Sequence, residues 1–368
     1  MKGVISTIQY PHWVFPVHSL QPSFLDQLMF SPEQVRTLRQ LGESRGRQEL
    51  FSQQMPEVLS ALRKVATVES AESSNRLEGI TASLPRIEDI VLKDAKPQNR
   101  SEQEIAGYRD ALGLLHESAR KMPFSAPVIQ QIHSTLYRYM PAQGGNWKAT
   151  DNEIVDKDAE GRVIRVRFRA VSAVETPQAM SDLVTHFASA LTSGRHDPLV
   201  LIPLAVLDLL CIHPFSDGNG RTARLITLQL LYQAGYEVGR YISLERLFEQ
   251  VKQSYYETLE ASSQGWHEGR HDPHPWMNLF WGVLLAAYKE FEERVGQLGT
   301  GRGSKSAQVR AAVARRVAPF AISELERDCP GIGRDTIRAV LRQLRDEGVL
   351  RVEGQGRGAR WRPVEPGA

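Results

Sequence analysis

The sequence predicts a mainly α-helical protein that carries one small β-hairpin and ends in a winged helix-turn-helix domain. Apolar residues recur at helical spacing over most of the chain between residues 32 and 297. Residues 162–169 alternate basic and apolar side chains, which is typical of an exposed β-strand. After residue 305, three short helical segments precede an alternating stretch rich in glycine and arginine, and this order is typical of a winged helix.

Local start and stop signals define the individual elements. Proline is favoured in the first turn of a helix, so Pro32 is predicted to lie in the first turn of a helical run that ends at Gly79. The segment that begins at residue 101 with Ser-Glu-Gln-Glu resembles a capping box. The predicted helices span residues 32–43, 46–66, 68–78, 101–121, 126–138, several segments between 176 and 297, 306–317, 322–328 and 334–347. Residues 349–363 are predicted to form the closing hairpin.

A glycine-rich segment at residues 299–304 has the composition of a flexible linker. It separates the long helical part of the chain from the C-terminal elements. The predicted units are an N-terminal helical region (1–100), a helical core (101–297), the linker (298–305) and a winged-helix domain (306–368).

The composition is that of an ordinary globular protein, with 368 residues, 41% hydrophobic and 24% charged. No stretch of about 18 uncharged apolar residues is present, so no membrane span is predicted. The first twenty residues lack the basic and then apolar order of a signal peptide. Two widely separated cysteines, Cys211 and Cys329, are too few for a disulfide framework and favour a reducing, cytoplasmic location.

The most informative segment, residues 213–224, reads His-Pro-Phe-Ser-Asp-Gly-Asn-Gly-Arg-Thr-Ala-Arg. Apolar helical segments flank it, which predicts a loop that leads into the N-terminus of a helix. The unpaired backbone N–H groups and the dipole at such a terminus favour an anion. The Gly-Asn-Gly turn also lets the main chain approach phosphate oxygens closely.

The side chains of this segment also indicate a site that binds phosphate groups. Arg221 and Arg224 lie three residues apart on one helix face and can hold phosphates bidentately. Asp217 is a suitable ligand for Mg²⁺, and His213 can accept a proton from a hydroxyl at neutral pH. A structural histidine or surface ion pairs would explain each residue alone, but not all of them within twelve residues. The segment therefore predicts a site that binds a nucleoside triphosphate and activates a hydroxyl.

The same segment resembles the signature of the Fic family, HPFx(D/E)GNGRxxR, and matches it at every defined position. The resemblance extends over roughly residues 55–290. It implies an all-α catalytic core that transfers AMP from ATP to a Ser, Thr or Tyr hydroxyl of a protein, itself included. The relative Doc lacks this Gly-Asn-Gly arrangement and acts as a kinase, so the intact turn favours AMP transfer.

The resemblance also implies a role for each residue of the motif. His213 would be the general base, Asp217 the Mg²⁺ ligand and Phe215 an anchor in the core. The residues that would hold the phosphates of ATP are Gly218, Asn219, Gly220, Arg221 and Arg224.

Two further features are implied by the family. Residues 162–169 lie where Fic proteins place a flap hairpin that docks the target protein by strand addition. An ordinary solvated edge strand is the alternative. Tyr255 and Tyr256 lie where similar proteins line the adenine pocket, although core packing would equally explain one of them.

Residues 74–79, Ser-Asn-Arg-Leu-Glu-Gly, resemble the inhibitory motif of the family, (S/T)xxxE(G/N). An ion pair between Glu78 and Arg224 would occupy the arginine that must hold the γ-phosphate, with Ser74 as the first motif position. A plain helix C-terminus stopped by Gly79 is the alternative. The same carboxylate could position water to remove AMP from a target, so a de-AMPylase stays open.

Residues 267–271 spell His-Glu-Gly-Arg-His, the pattern of zinc proteases, with His274 as a conceivable third ligand. The pattern binds zinc only on a helix, where both histidines share one face. Gly265, Gly269 and two following prolines oppose a helix here, so a polar loop is predicted instead.

The C-terminal segment 302–368 holds 14 Lys/Arg and 8 Asp/Glu, a net charge of +6. Arginines at positions 334, 338, 342 and 345 are predicted to face outward from the second helix of the helix-turn-helix, and the wing tip is predicted at residues 354–358. This pattern favours contact with DNA, with Arg357 and Arg360 of the wing towards phosphate. Protein docking and a homodimer stay open. A DNA-binding transcriptional regulator that uses the Fic core as a nucleotide sensor is therefore the alternative function.

Overall fold

The structure of the protein, a computed structural model, describes residues 17–54, 56–158, 160, 162–299, 305–316, 319–354 and 360–364. Most of the predicted linker lies outside these residues. Apart from residue 354, the predicted wing tip, including Arg357, also lies outside them. Among the described residues, none of the helices is both long and apolar enough to cross a membrane.

The N-terminal helices begin and end at other residues than the sequence predicts. They are α1 (Pro22–Leu25), α2 (Pro32–Gln54), α3 (Pro56–Leu77) and α4 (Leu84–Lys93). The breaks predicted near residues 44 and 67 are wrong, because α2 continues through Gly42 and Gly46 and α3 continues through residue 67. A helical glycine costs only about 1 kcal/mol, which the packing of α2 on α12 offsets. Helices α1 and α4 were not predicted.

The central helices surround one large apolar core. They are α5 (Arg100–Ser118), α6 (Ala126–Leu136), α7 (Thr176–Ser193), α8 (Pro198–Ile212), α9 (Asn219–Gln233), α10 (Leu244–Gln250), α11 (Lys252–Ser263) and α12 (His274–Gly299), with single 3-10 turns at Ala119–Lys121 and Val238–Arg240. Helix α9 packs against α3, α5, α6 and α8, so it lies at the centre. The loop that joins α8 to α9 carries the predicted motif.

The predicted hairpin is confirmed. Strands β1 (Glu153–Lys157) and β2 (Val163–Arg169) pair antiparallel, with Glu153 opposite Arg169 and irregular register within β1. Val163 and Ile164 are exposed, whereas Phe168 is buried. The hairpin therefore attaches to the core at its Phe168 end.

The C-terminal unit has a separate apolar core. It consists of α13 (Lys305–Ala314), α14 (Ile322–Asp328), α15 (Arg334–Asp346), β3 (Leu350–Glu353) and β4 (Arg360–Pro363). Strands β3 and β4 pair antiparallel, and Phe320 forms an isolated bridge with Trp361. This order of elements is the one expected of a winged helix.

The close contact between α5 and α6 leads to a testable prediction about stability. A Cβ atom added at Gly107 on α5 would lie 2.0 Å from the backbone oxygen of Leu136, which cannot move without displacing α6. Gly107→Ala is therefore expected to lower the free energy of unfolding by about 1–3 kcal/mol. Gly113→Ala is the control on the same helix, because nothing lies within 4 Å of the added atom. It should raise that free energy by up to about 1 kcal/mol.

Urea denaturation followed by tryptophan fluorescence measures both variants. Equal stability of the two would contradict the close approach of α5 and α6.

Candidate active site

Helix α8 ends at Ile212, and the next residue, His213, caps it in a left-handed backbone conformation (φ 51°, ψ 60°). Among the described residues, Asp94 is the other non-glycine residue with a positive φ. Such a conformation is uncommon and costs free energy, so the surrounding structure must hold it. Its effect is to turn the chain sharply out of α8 and into the loop before α9.

The His213 imidazole is arranged as a proton acceptor. Its Nδ1 atom lies 3.2 Å from the carbonyl oxygen of Leu210, so Nδ1–H donates there and Nε2 keeps its lone pair. Burial, with a smaller contribution from the Lys148 ammonium, lowers the pKa of His213 to about 4. The imidazole is therefore neutral at neutral pH, and it lines a cavity.

Lys148 and Asn152 support the loop after His213. The Lys148 Nζ donates to the carbonyl of Ile212 (3.0 Å), and its backbone N–H donates to the carbonyl of Pro214 (2.9 Å). The Asn152 side chain donates to the carbonyls of Phe215 (3.0 Å) and His213 (3.4 Å). Burial lowers the pKa of Lys148 to about 8. Sequence reasoning missed both residues, because they lie in a predicted loop without periodicity.

His133 on α6 supports the same loop from another side. Its ring stacks on Phe215 with centroids 3.7 Å apart. Its Nε2 donates to the carbonyl of Asp217 (3.0 Å), while its Nδ1 accepts the N–H of Gly145 (2.8 Å). Phe215 is fully buried, which confirms its predicted place in the core. His133 was missed because a histidine on an amphipathic helix has no distinctive sequence signal.

The N-terminus of α9 is formed as the motif predicts. Gly218 is left-handed (φ 78°), and its carbonyl accepts the N–H of Thr222. The N–H groups of residues 219–221 therefore have no acceptor within the helix. The side chain of Asn219 accepts the N–H of Phe215 (2.9 Å) and donates to its carbonyl (2.7 Å). The side chain of Asn219 thus holds the loop, whereas its backbone N–H has no acceptor within the helix.

The structure does not bring the two arginines of the motif to the same place. Arg221 is buried, and its Nη1 lies 2.6 Å from a carboxylate oxygen of Glu104 on α5. Arg224 lines the cavity. In this arrangement Arg221 secures α9 against α5, so its predicted contact with phosphate stays a prediction.

The predicted ion pair between Glu78 and Arg224 is confirmed. Their closest oxygen and nitrogen atoms are 2.7 Å apart, and Arg224 also donates to the hydroxyl and the carbonyl of Ser74, each at 2.8 Å. A Cβ atom at Gly220 would lie only 2.3 Å from the Glu78 carboxylate. The carboxylate therefore lies against the first turn of α9, where a phosphate would bind.

The cavity combines these polar groups with an apolar wall. The apolar side chains from α8 and α11 are Leu207, Leu210, Cys211 and Leu259. Tyr255 and Tyr256 both line the cavity, and their predicted contact with adenine stays a prediction. Tyr255 is buried and also packs against Trp276, and the Tyr256 hydroxyl donates to the carbonyl of Leu77 at the end of α3. An apolar pocket beside a few directed polar groups is typical of a small-molecule site.

The hairpin forms another side of the cavity through Ile154, Arg167 and Phe168. Two arginines of β2 attach it to α11, because Arg165 lies 2.7 Å from a carboxylate oxygen of Glu260 and Arg167 lies 3.6 Å from the other. Ion pairs thus hold the hairpin against α11, beside the cavity that it lines.

Residues 123–231 match the sequence model of the Fic/DOC family. This segment is a Fic domain. The chain is 27% identical over 216 residues to a protein adenylyltransferase Fic of Aedes aegypti and 26% identical over 216 residues to one of Culex quinquefasciatus. Each match covers 56% of this chain and 39% of the relative. The chain thus spans about two fifths of the length of these curated relatives.

The fold is shared with solved Fic structures. A Fic family protein from Desulfovibrio desulfuricans superimposes with a TM-score of 0.59 at 19% identity, over 93% of this chain and 98% of that one. The comparisons confirm the resemblance read from the motif and the mainly helical fold.

In the Fic domain, Asp217 is the residue suited to Mg²⁺. Its carboxylate is exposed beside the N-terminus of α9, and Oδ1 accepts the N–H of Gly218 at 2.7 Å. The described residues contain no cluster of three or more metal-binding side chains. Mg²⁺ that is bound together with nucleotide does not require one, since a single carboxylate and phosphate oxygens suffice. The residues present therefore fit such an ion.

The histidines of the zinc-protease pattern lie in the loop between α11 and α12 and not on a helix. His267 stacks on Phe168 and contacts the carbonyl of Arg169 at 2.8 Å. His271 is buried beside Ser19 and stacks on Phe24. Both histidines thus have structural contacts outside the Fic motif.

Proposed function

We propose that this protein transfers AMP from ATP to a Ser, Thr or Tyr hydroxyl of a protein, itself included. The observation that supports this most directly is a neutral His213, with Nε2 free to accept a proton, in a cavity shared with Arg224 and the first turn of α9. The relatives named protein adenylyltransferases add support from outside the chain.

ATP would bind with its phosphates at the N-terminus of α9. The N–H groups of residues 219–221 and the guanidinium of Arg224 supply donors there. The adenine would lie against Tyr255, Tyr256 and the apolar wall. Asp217 would hold Mg²⁺, which neutralises negative charge on the phosphates. Arg221 would reach a phosphate only after leaving Glu104.

The reaction would begin with proton transfer. His213 Nε2 accepts the proton of the acceptor hydroxyl, and the hydroxyl oxygen attacks the α-phosphorus of ATP. A new oxygen–phosphorus bond forms, and the bond from the α-phosphorus to the bridging oxygen of the β-phosphate breaks. Pyrophosphate leaves with that oxygen, and AMP remains esterified to the protein. General base catalysis of this kind contributes about 10²- to 10⁴-fold to a rate.

In this proposal Glu78 restrains the enzyme. Its carboxylate holds the guanidinium of Arg224 and lies against Gly220, so both charge and volume oppose a phosphate at that position. ATP could then bind only with its outer phosphates displaced. The restraint is built into the chain itself, because Glu78 directly follows α3.

A target protein would dock on the hairpin. The exposed Val163 and Ile164 on β2 lie at the end of the hairpin remote from Phe168. Strand addition uses backbone hydrogen bonds, so it accepts many side chains.

Both cysteines are unpaired and buried, which favours a reducing cytoplasm as the location.

The position of the transferred label tests the proposal. The Glu78→Gly variant, from which the proposed restraint is removed, is incubated with Mg²⁺ and with ATP labelled at either the α- or the γ-phosphorus, and the label on protein is measured. We expect label from α-labelled ATP only, together with release of pyrophosphate. Label from γ-labelled ATP would indicate a kinase. No label from either, with ATP binding intact, would favour a regulator that senses nucleotide.

A further inference from the structure

The C-terminal unit has a basic surface that AMP transfer does not use. We propose that this surface, formed by α15 and the hairpin of β3 and β4, binds double-stranded DNA. The unit packs around its own core, which includes Phe320, Leu341 and Trp361. The proposal is therefore independent of the chemistry at His213.

Helix α15 separates its apolar and basic residues. Ile337, Val340, Leu341 and Leu344 are buried. The exposed arginines, which we call the arginine stripe, are Arg334, Arg338, Arg342 and Arg345. At 100° per residue, the stripe occupies an arc of about 80° and a length of about 17 Å. The stripe is thus a continuous row of guanidinium groups on one flank of the helix.

Three of these arginines have acidic neighbours that a phosphate can replace. Arg338 lies 3.5 Å from Asp335, whose side chain is 99% exposed. Arg345 lies 2.8 Å from Asp346, and Arg334 lies 3.5 Å from Glu326. Exposed pairs of this kind contribute little to stability, so a phosphate can displace the carboxylate. Arg342 has no carboxylate within ion-pair distance among the described residues, so it is available without any exchange.

The hairpin next to α15 adds a second row of positive charge. Arg351 lies opposite Arg362, and Arg360 lies opposite Glu353, on one face of the two strands. The alternate pairs carry apolar side chains, among them Trp361 in the core. The Arg351 and Arg362 side chains are 61% and 43% exposed, and both pair with Glu353, at 3.4 Å and 3.0 Å. Together, the stripe and this face contain seven of the 14 basic residues of 302–368.

The chemistry of this surface favours DNA over a protein partner. A helix about 10–12 Å wide fits a major groove about 12 Å wide. The planar guanidinium groups match phosphate oxygens and the O6 and N7 atoms of guanine. Protein interfaces are commonly centred on apolar and aromatic side chains. The exposed apolar residues that the structure describes in this unit, Val349, Val352 and Val364, lie in or beside the hairpin and not on α15.

Fluorescence anisotropy with a labelled 30-base-pair duplex of mixed sequence tests the proposal on the full chain. We expect binding at 50 mM KCl that weakens steeply towards 200 mM, because each phosphate contact contributes about −0.9 to the slope of log K against log salt. The double variant Arg338→Ala/Arg342→Ala should lose at least about tenfold in affinity and reduce the slope by about two. Arg36→Ala/Arg39→Ala is the control, since it removes the same charge from exposed positions on α2 and should bind like the parent.

Three results would overturn the proposal. One is no binding at 50 mM KCl, and another is equal loss in the stripe and control variants. The third is self-association without DNA binding, measured by light scattering and lost when the arginine stripe is replaced. This result would mean that the surface binds a second copy of the chain. Binding should persist in a His213 variant, so failure here is distinguishable from failure of the AMP transfer proposal.

Discussion

Replacing His213 by asparagine is expected to lower the rate of the proposed AMP transfer by about 10²- to 10⁴-fold, because the proposed acceptor of the hydroxyl proton is lost. Asparagine tolerates the left-handed backbone at this position, so the loop should stay intact, whereas alanine would add strain. Single-turnover labelling with α-labelled ATP, in the Glu78→Gly background, measures the effect. The affinity for ATP should change by no more than about threefold, as expected when the lost interaction is made only in the transition state.

His196→Asn is the matched control, because this histidine is partly exposed beside Asp26 and does not line the cavity. Its rate should equal that of the parent. Transfer by His213→Asn to within tenfold of the parent rate would contradict the role of His213 as the base.

Glu78→Gly is expected to raise AMP transfer by about ten- to a hundredfold, since a hydrogen bond to a charged group is worth about 1.5–3 kcal/mol. The change releases Arg224 and clears the space beside Gly220. Self-labelling and labelling of added protein, each at saturating ATP, measure the gain. Glu78→Gln should give a smaller increase, because it keeps the volume of the side chain and removes only its charge.

Glu117→Gly serves as the control, because it removes an exposed carboxylate that does not line this cavity. Unchanged transfer by Glu78→Gly with normal ATP binding would refute the restraint. If the same variant instead loses the ability to remove AMP from a modified protein, the carboxylate works in hydrolysis.

The parts of the site that are local in sequence could be predicted. The loop between α8 and α9, the left-handed Gly218 and the N-terminus of α9 all follow from a few adjacent residues. The ion pair of Glu78 with Arg224 joins residues 146 positions apart, and it could be predicted only because each lies in a recognisable motif.

The parts that depend on tertiary packing could not be predicted. His133, Lys148 and Asn152 act through contacts with a loop more than 60 residues away, and nothing in their own segments indicates this. The partner of Arg221 is Glu104 on another helix, so its burial was not foreseen. Helix α2 continues through Gly42 for the same reason, because tertiary packing outweighs the low helix propensity of a single glycine.

The hydrogen bonds around the loop after α8 have a consequence for the thermodynamics of nucleotide binding. Carbonyl groups of Ile212, His213, Pro214, Phe215 and Asp217 already have donors in this structure. The loop consequently loses its conformational entropy when the protein folds and not when ATP arrives. If ATP binds as proposed, the free energy of association would not be consumed in ordering the backbone, and more of it would remain for holding the triphosphate.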